Sequence, residues 1–270
     1  MTKFNGPHVL KLDTETSLMQ FWGWRFYQDN LGPDNIKQDR TFLCAAWEWD
    51  YTHAGYPNMK GVHSCSILDN KKRFAKSVYD DYSVVRTLYG VVNDADIIIT
   101  QNGDKFDLRL LNTRSLYHGL PPLKPSLSID TLKGLKKRFG MSSNAMHYVN
   151  KYLGLAEKEK LPFEVWKSIC ADETPLGEKE VLLQRMVDYC ENDVKALGEL
   201  YSKIAPWITN HPDVMPNTTD TLICNVIGCG GRLSKEGKHR TKNGWYQSYS
   251  CVKCGHWMRG TKRLDHSEVI

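Results

Sequence analysis

The chain has 270 residues, of which 41% are hydrophobic and 25% are charged. This composition suits one substantial α/β core with a small appendage, and no apolar run approaches the roughly 18 residues that a membrane span requires. The formal net charge is +5, and no signal peptide precedes Val9, so we expect a soluble protein of a reducing, cytoplasmic compartment.

The first acidic residues of note follow a short apolar run. Residues His8 to Leu12 predict a strand, and the segment LKLDTET continues it with Asp13 and Glu15. Alternation along a strand sends residues i and i+2 to the same face, so Asp13 and Glu15 can hold one cation together. A solvated strand end would give the same pattern, and this motif alone leaves both interpretations open.

Two further strands are predicted at Phe42 to Asp50 and Gly61 to Leu68, extending the sheet antiparallel to the first strand. An aromatic cluster precedes them. Its alternation favours packing on the sheet, and an exposed stacking platform is the alternative. Its members are Trp22, Trp24, Phe26 and Tyr27.

A second acidic signature follows a buried strand. The run Ile97-Ile98-Ile99 is typical of a parallel strand, Gln101-Asn102-Gly103 ends it, and Asp107 lies where a helix opens. A carboxylate at the carboxyl end of a strand lies on the usual ligand edge of an α/β sheet. The alternative role is a helix cap, for which Asp104 is better placed than Asp107.

Three other elements complete the predicted core. A helix over Val78 to Val92 leads into the buried strand. A short strand over Leu127 to Leu132 surrounds Asp130, which we interpret as structural, or at most as a residue that supports the metal ligands. A helix over Asn144 to Leu155 ends at Gly154.

The third signature lies on a long helix predicted from about Glu178 to Ile204. Tyr189 and Asp193 are four residues apart and therefore share one face of this helix. The predicted apolar stripe consists of Val181, Leu182, Met186, Cys190, Val194, Leu197 and Tyr201.

In this order the three signatures resemble the three exonuclease motifs of the DEDD superfamily of ribonuclease H-like 3′→5′ exonucleases. The tyrosine four residues before Asp193 is similar to that of the tyrosine-type (DEDDy) branch. The N-x-x-x-F-D pattern of Asn102, Phe106 and Asp107 most resembles the exonuclease domains of family B DNA polymerases and their stand-alone relatives.

The resemblance covers roughly residues 9 to 206 and implies a ribonuclease H-like mixed sheet flanked by helices. It also implies a phosphodiester hydrolase that uses two Mg²⁺ or Mn²⁺ ions, which take oxygen ligands. Asp13, Glu15 and Asp193 would hold the ion that activates water. Asp13 and Asp107 would hold the ion that stabilises the leaving 3′ oxygen.

The same resemblance assigns roles to four other residues. A phenol has a pKa near 10, so Tyr189 would orient the attacking water or the phosphate rather than act as a base. Thr14, Asn102 and Phe106 would contact the terminal nucleotide or shape its pocket, and packing is as reasonable a role for Phe106 as stacking on a base.

The eight cysteines divide into two groups. Four are isolated and predicted to be buried reduced thiols: Cys44, Cys65, Cys170 and Cys190. The others form C-x4-C and C-x2-C pairs, the spacing of a zinc site, which resemble a zinc ribbon with one structural Zn²⁺ held by Cys224, Cys229, Cys251 and Cys254. Two disulfides in a secreted chain are the alternative, and His239 and His256 are spare ligands.

All of the net charge lies near the C-terminus. Residues 217 to 270 contain nine Lys or Arg against four acids, a balance of +5, whereas residues 1 to 216 balance at 27 against 27. Cations interleaved with aromatic rings are typical of single-strand binding, and a protein partner or a solvated basic face would also fit. The rings are Trp245, Tyr246, Tyr249 and Trp257.

We predict an exonuclease domain at 1–206, a linker at 207–220, a four-cysteine zinc ribbon at 221–262 and a tail at 263–270. Prolines and asparagines mark the linker. The segment 221–262 is too short to bury enough apolar surface to fold alone. The ribbon is therefore predicted to be a separable, metal-dependent module.

The predicted function is a 3′→5′ exonuclease acting on DNA, single-stranded in preference, and releasing nucleoside monophosphates. The partners are then DNA and, through the ribbon, a replication or recombination protein, with no membrane. An RNA exonuclease, or a catalytically silent nucleic-acid-binding or scaffold protein on the same fold, is the alternative.

Overall fold

The computed structural model describes residues 7–24, 32–50, 60–155, 160–209, 211–212 and 222–264. Within these ranges the strands are β1 (Val9–Thr16), β2 (Gln20–Phe21), β3 (Ile36–Gln38), β4 (Phe42–Trp49), β5 (Val62–Ser66), β6 (Ile97–Thr100), β7 (Leu127–Asp130), β8 (Leu233–Thr241), β9 (Gly244–Cys251) and β10 (Trp257–Arg263). The α-helices are α1 (Lys71–Phe74), α2 (Tyr82–Asp94), α3 (Asp107–Tyr117), α4 (Thr131–Arg138), α5 (Met146–Tyr152), α6 (Phe163–Cys170) and α7 (Leu176–Ile204).

The core is a mixed five-stranded sheet in the order β5-β4-β1-β6-β7. β1 is antiparallel to β4 and parallel to β6, and β6 is parallel to β7. Every residue of β6 is buried, as its continuous isoleucine run predicts for a central parallel strand. The predicted mixed sheet flanked by helices is confirmed.

Helix α7 packs on β1, β4 and β5, and α2 packs on β4 and β5. The predicted stripe of α7 is wrong at Val181, which is 69% exposed, whereas Leu183 is fully buried. Val181 precedes the buried Cys190 by nine residues, or about two and a half turns, so it faces away from the sheet.

Two other helices are shorter than their predicted spans. Helix α2 begins at Tyr82 instead of the predicted Val78. Asp81, just before it, accepts hydrogen bonds from the Phe42 amide and the Arg114 side chain. Helix α5 begins at Met146 instead of Asn144, and the chain turns away at Gly154, whose φ is +66°. None of the helices in the described ranges combines the length and apolar character of a membrane span.

The aromatic cluster after β1 is not packed on the sheet where it is described. Trp22 is 66% exposed and Trp24 is 94% exposed. Trp22 is held through its backbone, which pairs with Asn35 beside the small β2–β3 sheet, and Lys37 lies 5.5 Å above its ring. Phe26 and Tyr27 lie outside the described residues.

The C-terminal region is a three-stranded antiparallel sheet in the order β10-β9-β8. Its four-cysteine end shares one hydrophobic cluster with the core, in which Cys224 and Val226 join Val9 and Tyr201. The His256 ring nitrogen Nδ1 also lies 2.9 Å from the Pro206 carbonyl oxygen. The pattern of cysteines carries no information on this packing, and whether the ribbon is a separable module stays a prediction. The predicted domain boundaries stay a prediction.

Candidate active site

Three carboxylates from two distant parts of the chain meet at the end of β1. Asp13, Glu15 and Asp193 each place an oxygen within 4.8 Å of the other two. Strand alternation puts Asp13 and Glu15 on the same face of the sheet, which is the face that α7 covers. Like charges so close repel one another, and a divalent cation that takes oxygen ligands relieves this repulsion. The donor set therefore fits a hard cation such as Mg²⁺.

Helix α7 fixes two groups against β1. Asp193 is 2% exposed, and the Cys190 thiol one turn earlier lies 3.5 Å from the Asp13 carbonyl oxygen and 3.6 Å from its carboxylate oxygen Oδ2. Burial raises the pKa of Cys190, so the thiol keeps its proton and donates to Asp13. The sequence predicted Cys190 as a buried reduced thiol, but its contact with Asp13 depends on the packing of α7.

Asp107 lies outside this group of three and is bonded to the neighbouring residue of β1. The Thr14 hydroxyl donates to the Asp107 carboxylate at 2.5 Å, and Asp107 is 5% exposed. Burial raises the pKa of Asp107 to about 6, although the Thr14 hydrogen bond acts to lower it. The structure thus brings Asp107 to β1 without placing it in the three-carboxylate cluster.

The turn between β6 and α3 has a special backbone. Asn102 has φ +69°, the left-handed region that few residues other than glycine adopt. A Cβ on Gly103 would lie 2.3 Å from the Thr100 hydroxyl oxygen, so only glycine fits there. Asp130 fixes this turn by accepting from the Asn102 amide at 2.9 Å, and it also caps α4. The structural role predicted for Asp130 is confirmed.

The remaining predicted residues are held by contacts of their own. Phe106 is the residue before α3, half-buried, with the Arg40 guanidinium 5.6 Å from its ring. Tyr189 packs edge-on against Trp166 of α6, with ring centroids 6.2 Å apart. Asp104 does not cap α3: its carboxylate instead accepts from Ser128 and Lys133 of the neighbouring strand and helix.

A cleft of about 600 Å³ opens beside Asp13. Asn102 lines it, together with Gln101, Lys136 and His147, which the sequence did not single out. Gln101 donates to the Asn144 carbonyl at 3.0 Å and so ties the turn after β6 to the segment before α5. Lys136 lies in the basic last turn of α4. The sequence shows this basic turn, but only the folded structure brings Lys136 to the cleft beside Asp13.

The four C-terminal cysteines form a second cluster, with one sulfur from each within 4.8 Å of the others. The Cys224–Cys254 and Cys229–Cys251 sulfurs lie 3.7 and 3.6 Å apart. Four sulfurs about 2.3 Å from a central zinc would lie roughly 3.8 Å from one another, so the spacing fits tetrahedral zinc and is too long for disulfides.

Backbone amides point at this cluster. The Lys253 amide lies 3.4 Å from the Cys251 sulfur, and the Val226 amide lies 3.5 Å from the Cys224 sulfur. Burial acts to raise the pKa of Cys251, but hydrogen bonds including that from Lys253 hold it at about 7. Burial instead raises the pKa of Cys224, and it raises that of Cys254 to about 11. Of these three thiols Cys251 therefore ionises most readily, and the thiolate is the form that binds a metal.

The two spare histidines are not part of the cluster. His256 is 3% exposed and is bonded to Pro206, and His239 lies on the exposed strand β8. The isolated cysteines are buried and free, as predicted: Cys44, Cys65, Cys170 and Cys190.

The chain was compared with known proteins. A search of curated proteins finds no match. Among solved structures, the family B DNA polymerase of the archaeon Pyrobaculum calidifontis is similar over 74% of this chain, with 18% identity and a TM-score of 0.46. The chain spans 25% of the length of that polymerase. A family model described as the RNase H superfamily matches residues 55–205, which is more than half of the sequence. With the mixed sheet described above, this match shows that the chain belongs to the RNase H superfamily.

Proposed function

We propose that this protein is a metal-dependent 3′→5′ exonuclease of the DEDDy type that releases nucleoside monophosphates from DNA. The observation that supports this most directly is the convergence of Asp13, Glu15 and Asp193 from β1 and α7. Superfamily membership gives the scaffold but does not assign the activity, since one fold hosts many functions.

In this proposal Asp13, Glu15 and Asp193 hold one divalent cation, and Asp13 with Asp107 hold a second. Bound there, the ions would lower the pKa of water and offset the charge that develops on the phosphate and on the leaving 3′ oxygen. Thr14 fixes the Asp107 carboxylate by its hydrogen bond, and the Cys190 thiol orients Asp13.

The cleft beside Asp13 is where the terminal nucleotide would bind. Asn102 offers an amide group to it, and Lys136 offers a cation for a phosphate. Tyr189 would orient the attacked phosphate or the water through its hydroxyl. The four-cysteine ribbon would hold one structural Zn²⁺ and assist in holding the strand or a protein partner.

Digestion of end-labelled oligonucleotides tests the proposal. DNA and RNA, single-stranded and double-stranded, are incubated with Mg²⁺ or Mn²⁺ and labelled at either end. Mononucleotides released from the 3′ end are expected, with DNA favoured over RNA. Products released from the 5′ end, or internal cuts alone, would contradict the proposal.

Two matched variants on α7 test whether the acidic cluster is responsible for this cleavage. Asp193→Asn keeps the size of the side chain and removes its charge, and should abolish cleavage. Asp188→Asn makes the same change on the exposed side of α7 and should leave cleavage intact. Equal effects of the two substitutions would mean that the acidic cluster is not the site.

A further inference from the structure

A second cleft, of about 590 Å³, lies where the core meets the ribbon. The core contributes Arg138 and Trp207, and the ribbon contributes Cys254, His256 and Trp257. Both indoles are 61% exposed. Large aromatic rings that stay this exposed in a concave surface favour a ligand with a flat apolar face.

The core wall of this junction cleft is held rigidly. The Arg138 side chain donates from Nε to the Trp207 carbonyl oxygen at 3.0 Å. The Phe139 ring packs edge-on against Trp207, with centroids 5.8 Å apart. Arg138 therefore fixes the Trp207 backbone and Phe139 packs against its indole, most of which stays exposed.

The ribbon wall is tied to the core wall. His256, next to Trp257, is buried, and its Nδ1 lies 2.9 Å from the carbonyl oxygen of Pro206, next to Trp207. Cys224 and Cys251 extend the same hydrophobic cluster as Tyr201 of α7. The two tryptophans therefore flank one cleft whose walls do not have to be brought together by the ligand.

Charge identifies the ligand as an anion. None of the nine residues that line the junction cleft is acidic, and Arg138 ends a helix turn that also carries Lys136 and Lys137. Two exposed indoles beside a guanidinium group, with two lysines in the adjoining helix turn, are a combination that binds single-stranded nucleic acid by stacking on bases and contacting phosphates. An apolar segment of a protein would use the rings but would gain nothing from the positive charge.

Helix α4 connects this cleft to the active site. Lys136 lines the cleft beside Asp13, and Arg138, two residues later, lines the junction cleft. Residues two apart on a helix lie about 200° apart around its axis, so the two clefts open on different sides of this last turn of α4. A strand that occupies both clefts therefore passes around the turn, with its phosphates beside Lys136, Lys137 and Arg138.

We propose that the junction cleft is a base-stacking subsite, in which Trp207 and Trp257 bind bases of a single strand whose 3′ end lies beside Asp13. The placement of the 3′ end rests on the proposed exonuclease function, but the stacking does not. DNA and RNA share the chemistry recognised here, so strands of both kinds serve as probes.

Fluorescence anisotropy of labelled oligonucleotides tests this subsite, in Ca²⁺ to limit cleavage. Trp207→Ala and Trp257→Ala should each weaken binding of a thymidine dodecanucleotide roughly 5- to 150-fold, the effect of losing one stacked base. The loss should be smaller for a dinucleotide, which can fill only the active-site cleft. A uridine dodecanucleotide should show the same losses if the sugar is not read at this cleft.

Two further variants separate stacking from folding. Trp257→Phe keeps an aromatic face and should retain most of the affinity, and Val252→Ala removes an exposed apolar side chain between the same cysteines and should change nothing. Zinc content is measured for every variant. If Trp257→Ala loses zinc, the conclusion depends on Trp207→Ala alone. Unchanged affinity in the alanine variants, or equal loss in Val252→Ala, would overturn the subsite and favour a protein partner. Tryptophan-dependent binding by a protein without nuclease activity would instead refute only the exonuclease proposal.

Discussion

The two candidate metal sites of this chain differ in what surrounds their ligands. The acidic site lies beside a hydrophobic core that does not include its ligands. Asp13, Glu15 and Asp193 project from β1 and α7, and the apolar residues of these elements pack without them. In the four-cysteine site the ligands form part of the hydrophobic core, since Cys224, Cys229 and Cys251 are themselves buried members of a hydrophobic cluster. The difference predicts that the first metal serves activity and the second serves folding.

The largest expected effect is that of Cys251→Ser. Structural zinc contributes on the order of 10 kcal/mol to small domains, so this variant should lose zinc and unfold residues 222–264. Because the cysteine cluster continues into the core, the melting temperature of the core should also fall. Zinc analysis and limited proteolysis measure both effects, with Val252→Ala as the zinc-retaining control. A variant that keeps one zinc and a protected ribbon would refute the four-cysteine site.

A smaller effect is expected from Tyr189→Phe at the acidic site. The substitution keeps the ring that packs on Trp166 and removes the hydroxyl. The rate of the chemical step should fall by less than in Asp193→Ala, and substrate affinity should change little. Single-turnover kinetics of the two variants makes the comparison. Equal losses would show that Tyr189 and Asp193 do not have the separate roles proposed.

The smallest effect is a pH dependence at Asp107. Its pKa of about 6 lies above the value near 3.9 expected for an unfolded chain, so the native state binds the extra proton. Without added Mg²⁺ or Mn²⁺, this group contributes stability below pH ~4 that is lost as the pH rises through about 6. Thermal unfolding of the wild type and Asp107→Asn between these pH values measures the contribution. Identical pH profiles would contradict the buried carboxyl.

The sequence predicted those features of the fold and the sites that depend on local sequence patterns. The isoleucine run predicted β6, and the alternation around Asp13 predicted that its carboxylate lies on the same face as that of Glu15. The spacing of the four cysteines predicted their cluster. Each of these features depends on residues close together in the chain or on a known ligand geometry.

Features that depend on long-range packing were not predicted. Asp104 has the position of a helix cap but pairs with Lys133, which only the β6–β7 pairing brings near. Trp22 has the alternation of a packed ring but lies on the surface, since nothing in the described residues covers it. The junction cleft likewise needs Trp207 and Trp257, 50 residues apart, to be brought together by the His256 contact.

Cleavage by Asp13→Ala tests the central claim most directly, because Asp13 is proposed to contact both ions. Wild type and variant are compared on the same 5′-labelled DNA strand in Mg²⁺, with thermal unfolding measured in parallel. Loss of metal coordination should lower the rate roughly a thousandfold or more, while the melting temperature stays close to that of the wild type. A folded Asp13→Ala protein that digests DNA at the wild-type rate would contradict the account.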